Sequence, residues 1–155
     1  MKKTLLLLTF CLSALIASAQ EFYVSSAGTA ADGSYLVSVK VSAKKKEFTS
    51  AQDMVMRYAV DGVMFNGLTN AQGQTSQKPL IKDPDVRVTK PEFFQAFYNE
   101  KAYTRYCSIV PSSLVSMKNK QTKKIETTAT VVVNKEQLQH YLEESGIIKG
   151  FSTLW

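Results

Sequence analysis

The chain has 155 residues, of which 45% are hydrophobic, 10% aromatic and 21% charged. This is an ordinary globular composition, which excludes intrinsic disorder, collagen-like repeats and coiled coil and predicts one folded domain. The formal net charge of +6 is mild, and no run of basic residues interleaved with aromatics marks a nucleic-acid binder.

Residues 1–19 read as a secretory signal peptide. Lys2 and Lys3 supply a charged start, residues 5–16 a continuous apolar stretch, and Ala17, Ser18 and Ala19 a small-residue cleavage box. Cleavage after Ala19 predicts an exported chain that begins at Gln20. The apolar stretch is shorter than the roughly 20 residues that span a bilayer, and no second such run follows, so no transmembrane anchor is expected in the mature chain. Cys11 lies inside the apolar stretch rather than after a small-residue box, so no lipid attachment is expected either. Taking Lys2 and Lys3 from the 19 basic residues leaves 17 against 13 acidic ones, a net of +4. Only Cys107 then remains, which forbids an internal disulfide and leaves stability to the core. Its neighbours Tyr103, Tyr106, Ile109 and Val110 suit a buried thiol that packs as a small hydrophobe.

The elements follow in chain order. Residues 21–26 form a strand, and a turn with Asp32 and Gly33 leads into a second strand over residues 35–43. There Tyr35, Val37, Val39, Val41 and Ala43 share one face while Ser38, Lys40 and Ser42 share the other, which predicts a sheet with one buried and one wet side. Thr49 or Ser50 caps a helix over residues 51–66, with Gly62 weakening its last turn and Gly67 as its stop. Residues 68–90 carry no period and read as a long loop, either functional or an ordered cover, with an extended piece at 86–88. Thr89 then caps a short helix with Pro91 in its first turn and Phe93, Phe94, Phe97 and Tyr98 on one broad side. Two strands follow at 103–110 and 125–133, the first extended past Pro111 by residues 114–117, with a hairpin tip at 119–122. Asn134, Gln137 and Gly146 punctuate a last helix. The tail beyond it carries Phe151, Leu154 and Trp155, apolar enough to dock on the body or on a partner.

Little chemistry is on offer. His140 is the single histidine and is turned away from its helix's apolar stripe, so neither a Ser-His-Asp arrangement nor a zinc site can be assembled. Ser42 and Lys45 have Ser-x-x-Lys spacing but sit at a strand end without companion motifs. Asp83 and Asp85 flank Pro84 as turn-forming aspartates do, and would act as an acid–base pair only in a walled pocket. No catalytic, cofactor or metal site is predicted. Two lysine groups stand out: Lys44, Lys45 and Lys46, and then Lys118, Lys120, Lys123 and Lys124. They either attract an anionic surface or protect exposed turns and edges.

The element order, residues 51–67, and the closing Val131-Val132-Val133-Asn134 followed by Leu138, Leu142 and Gly146 resemble envelope accessory proteins of Gram-negative bacteria. These are the small α/β domains of curli secretion lipoproteins, of penicillin-binding-protein activator lipoproteins and of the amino-terminal part of TolB. The resemblance implies a non-enzymatic partner-binding domain in the periplasm, without the lipid-attachment cysteine of those lipoproteins. Together these readings predict an α+β fold in residues 20–155. It would have a four-stranded, mainly antiparallel sheet and three helices, the first and last packed on it; a three-layer α/β/α arrangement is the alternative. The expected function is an exported envelope accessory or binding protein, with a small periplasmic hydrolase using the 68–90 loop as the alternative. Its partner would be an envelope protein or an anionic envelope polymer, met through Lys118, Lys120, Lys123 and Lys124 or through Phe151, Leu154 and Trp155.

Overall fold

The structure, a computed structural model, describes residues 21–48 and 50–150. The predicted leader, Cys11, the cleavage point at Gln20 and the candidate cap Thr49 lie outside the described residues. Along the chain come β1 (Glu21–Thr29), β2 (Tyr35–Ala43), α1 (Ala51–Asp61), β3 (Leu68–Thr69), β4 (Thr75–Gln77), α2 (Val86–Thr89), α3 (Pro91–Asn99), β5 (Cys107–Ile109), β6 (Val115–Lys118), β7 (Ile125–Val133) and α4 (Lys135–Glu144).

The fold is α+β. β1, β2, β7 and β5 form an antiparallel sheet in that order, and β6 also pairs with β7. β5 and β6 lie end to end on the same side of β7, so the five strands make a sheet four strands wide. The interruption between them has a local cause. Ile109 pairs with Val131 and Val115 with Thr128, so six steps of one chain face three of the other. Pro111 cannot donate to the ladder, Ser112 turns with φ 64, and Ser113 Oγ bridges the gap by donating to Val110 O and accepting from Thr130 N.

One face of this sheet is dry. Tyr35, Val37, Val39, Val41 and Ala43 of β2 are buried beside Thr127, Ala129, Val131 and Val133 of β7. α1 packs across both strands through Met54, Val55, Ala59 and Val60, and Leu138 and Leu142 of α4 are fully buried in the same core. Ser38, Lys40 and Thr128 are exposed on the opposite face, which no described helix covers. The arrangement is therefore two-layered rather than α/β/α.

Caps fix where the helices begin. Ser50 Oγ accepts from Asp53 N at 3.4 Å, and Asn134 Oδ1 accepts from Gln137 N at 3.0 Å. α3 departs from expectation: Lys90 stands at its N-cap position without a side-chain bond, and the Thr89 hydroxyl instead donates back to Val86 O within α2. Residues 86–89 are thus helical rather than extended. The predicted strand at 103–110 is shortened to Cys107–Ile109, because residues 102–105 turn as a 3-10 helix after Lys101 takes φ 54.

Residues 68–90, expected as a long loop, hold β3, β4 and α2. α1 runs on through a π-helical turn, Gly62–Asn66, whose Val63 and Met64 carbonyls accept from Leu80 N and Ile81 N at 3.2 and 2.8 Å. The loop so supplies the hydrogen bonds that the end of a helix lacks. Gly67 is indispensable there. It takes φ 70, and a Cβ would stand 2.4 Å from Gln77 O. β3 and β4 then pair across a turn in which Asn70 Oδ1 accepts from Gln72 N and Gln74 N. Gly62 has a packing role rather than a merely weakening one, since its missing side chain makes room for Val24: a Cβ would lie 2.8 Å from Val24 Cγ1 and 3.3 Å from its Cβ.

That contact yields a test. Gly62→Ala gains about 1 kcal/mol of helix preference but overpacks against a stiff β-branched side chain at about 1–3 kcal/mol, so a net loss of about 1 kcal/mol is expected in urea denaturation. Val24→Ala placed on top should recover most of that loss. A Gly62→Ala protein more stable than the parent would show that β1 yields without strain.

Candidate functional site

The antiparallel register brings both lysine groups to one end of the sheet. Ala43, the last residue of β2, pairs with Ile125, the first of β7, and Lys118, the last of β6, pairs with Ile125 from the other side. Lys44, Lys45 and Lys46 therefore leave the sheet beside the β6–β7 tip that holds Lys118, Lys120, Lys123 and Lys124. The tip is well built. Asn119 N donates to Lys124 O at 2.9 Å, Asn119 Oδ1 accepts from Gln121 N and Thr122 N, and Asn119 Nδ2 reaches Glu126 Oε1 at 2.7 Å.

The lysines differ in their freedom. Lys124 Nζ pairs with Glu21 Oε1 at 3.1 Å, and its side chain is only 23% exposed. It belongs to the fold. Lys44, Lys45, Lys46, Lys118, Lys120 and Lys123 are exposed and make no ion pair among the described residues. The other predicted contact surface, Phe151, Leu154 and Trp155, lies outside the described residues.

A second cluster joins three elements that the sequence keeps apart. Asp61 of α1 accepts hydrogen bonds on one oxygen from both Arg87 Nη2 of α2 and the Tyr98 hydroxyl of α3. The Arg57 guanidinium, one turn before Asp61, stands 4.6 Å over the Tyr98 ring, and that of Arg87 stands 3.8 Å over Phe65. Burial, reinforced by the Asp61 charge, pushes the Tyr98 hydroxyl well above the usual phenol range. Arg57, Arg87, Phe94 and Tyr98 line an open hollow of about 320 Å³. The sequence places Phe94 and Tyr98 on the apolar side of a short helix, but gives no sign that Arg57, Asp61 and Arg87 meet them.

A smaller hollow of about 260 Å³ lies between Asp32, Ser34, Arg105, Cys107, Asn134 and Gln137. The backbone N–H and hydroxyl of Ser34 hold the Asp32 carboxyl below its usual range. The Cys107 thiol donates to Tyr103 O at 3.4 Å, and burial pushes it up to about 12. It stays protonated at neutral pH, which suits packing and not nucleophilic attack.

The remaining candidates sit in the open. Asp83 and Asp85 are exposed, and Asp83 Oδ1 accepts from Asp85 N at 3.0 Å in a local turn; neither lines either of these two hollows. His140 is exposed and contacts Glu144 Oε1 at 3.2 Å on its own helix. Among the described residues no three His, Cys, Asp or Glu side chains group closely enough to hold a metal ion, and no helix is long and apolar enough to cross a membrane.

Cys107 and Tyr98 make alkaline pH a probe of this packing. Both are acids with raised folded-state pKa values, so they favour the folded state below their unfolded values. That contribution drains as pH climbs, for Cys107 between its ordinary 9.0 and about 12. Urea midpoints should be flat up to about pH 9 and fall above it, and Cys107→Ala should flatten part of the fall. Iodoacetamide should modify the native thiol at pH 8 at least about tenfold more slowly than the unfolded one. Equal rates would mean that the thiol is open to solvent.

No family model matches this chain, and neither a curated protein nor a solved structure matches it. The chemistry of its own surfaces is what bears on function.

Proposed function

We propose that the chain is an exported cell-envelope accessory protein without catalysis, which binds an anionic envelope polymer or an acidic envelope protein through the lysine-bearing end of its sheet. The observation that carries this reading is the convergence of two lysine groups, far apart in sequence, at the point where β2, β6 and β7 end together. Six exposed lysines there are opposed by few carboxylates. Glu21 is taken by Lys124, Glu126 by Asn119 and Lys40, and Glu47 Oε2 accepts from Lys44 N.

Positive charge concentrated at one end of a small domain raises the rate of encounter with an anionic surface and adds little to stability. The wet face and the built tip are compatible with a body that presents this end to a partner. The leader read at residues 1–19 supports export, and the resemblance to envelope accessory domains supports the compartment.

Each lysine near an anionic surface contributes about 1 kcal/mol, so changing Lys118, Lys120 and Lys123 together to Gln should weaken retention on isolated envelope material roughly 100-fold at low salt. The melting temperature should hold. Changing Lys44, Lys45 and Lys46 should weaken retention similarly, and both effects should fade toward high salt as screening shortens below about 8 Å. Retention that ignores salt and both triple changes, but is lost on truncating Trp155, would move the interaction to the apolar tail.

A further inference from the structure

The hollow between α1, α2 and α3 has features that packing alone does not require. Two guanidinium groups surround the Tyr98 phenol, one over its face and the other at its hydroxyl end through Asp61. Asp61 compensates one of them. Arg57 has no ion pair among the described residues, so the cluster of two arginines and one carboxylate keeps one positive charge. A guanidinium set over a ring gives up none of its N–H donors to that contact, and those donors form a fork that fits a carboxylate. Arg57 is held by its ring contact before any ligand arrives, which lowers the entropy lost on binding.

The walls complete the pattern. Pro91 and Phe94 give an apolar surface, while Gln95 and Asn99 give amides able to donate and accept. The hollow, about 320 Å³, is open to solvent, so it would take a small ligand that leaves part of itself in water. A single residual charge matches a monoanion better than a dianion.

We propose that this hollow binds the carboxylate of a small amphipathic acid, gripped by the Arg57 fork, with Arg87, its charge met by Asp61, as the opposite wall and Pro91 with Phe94 under the apolar part of the ligand. A free organic acid and the carboxyl end of a peptide share this chemistry. The site is independent of the lysine end of the sheet, and neither proposal needs the other.

The test uses the full chain and side-chain resonances of its arginines. Benzoate and N-acetyl-phenylalaninate are each titrated against their neutral amides, with inorganic phosphate as a further arm. Saturable shifts of the Arg57 signal with a carboxylate, and none with its amide, are expected. A stronger response to N-acetyl-phenylalaninate than to benzoate would identify a chain end as the source, and the reverse a free acid; either supports the carboxylate site. Arg57→Gln should weaken binding about tenfold or more, with an unchanged melting temperature because the side chain is exposed. Arg57→Lys, which keeps charge but loses the fork, should fall between the two. The proposal is overturned if amide and carboxylate bind alike, if phosphate binds more tightly than either acid, if no titration saturates, or if Arg57→Gln binds as well as the parent.

Discussion

Val37, Val39 and Val41 of β2 stand opposite Val131, Ala129 and Thr127 of β7, and everything else is arranged around keeping that pair in register. All six are essentially without solvent exposure. A slip of one residue would turn this whole row to water and bring Ser38, Lys40 and Thr128 inside, so the alternation fixes the register without any help from the loops. The single polar member is satisfied: Thr127 Oγ1 meets Ser116 Oγ of β6 at 2.9 Å. A buried hydroxyl so partnered does not incur the penalty of an unmet donor, and it also ties the split fourth strand to the centre of the sheet. α1 covers this row, and its π-helical end is closed by residues 80 and 81, which is why the irregular segment after it is ordered.

A second focus lies beyond the sheet edge. Phe97 of α3 contacts the rings of Phe93, Tyr98, Tyr103, Tyr106 and Tyr141 at centroid distances of 5.4 to 6.5 Å. These rings come from α3, the 3-10 turn, the residue before β5, and α4, so one side chain holds together four segments that share few backbone hydrogen bonds. Offset and edge-on pairs of this kind add about 0.5–1.5 kcal/mol each beyond their burial. Tyr98 belongs to this cluster on one side and to Asp61 on the other, and through it the aromatic core positions the arginine hollow. The same cluster partly buries Cys107 beside Tyr103 and Tyr106, and that desolvation accounts for the raised thiol pKa.

What could be read from the sequence is what short-range physics decides. β2 alternates over nine residues, α4 carries its own cap, and the Asn119 tip bonds to its own backbone, so each was legible. β3 spans two residues and pairs with a polar three-residue strand, too short for any periodicity to register. Residues 86–89 look extended by composition, yet Val88 N and Thr89 N donate to Asp85 O and a helical turn results. Both lysine groups were visible as runs, but their meeting at one sheet end depends on β2 and β6 flanking β7, a pairing across the whole domain. Lys124 was indistinguishable from its neighbours until Glu21, more than a hundred residues earlier, was found beside it. The hollow was illegible for the same reason, since Arg57, Arg87 and Tyr98 sit on three elements.

The two kinds of charge on this surface answer to different constraints. Lys124 with Glu21, Lys40 with Glu126, and Lys101 with Asp53 at 2.6 Å each join separate elements. Exposed pairs contribute about 0–1 kcal/mol and lose it to screening, so such lysines are useful to the fold but replaceable. Lys118, Lys120 and Lys123 make no ion pair among the described residues, and holding like charges close together on one tight turn is, if anything, mildly unfavourable to folding. Lys123 even adopts φ 56, a left-handed conformation in which glycine or asparagine is the easier choice. Solubility alone asks for exposed lysines, but not for two sequence-distant groups of three to meet at one sheet end. Their placement gains a physical reason when the energy they lack in the folded chain is recovered against an external anion, the property that the proposed binding role requires.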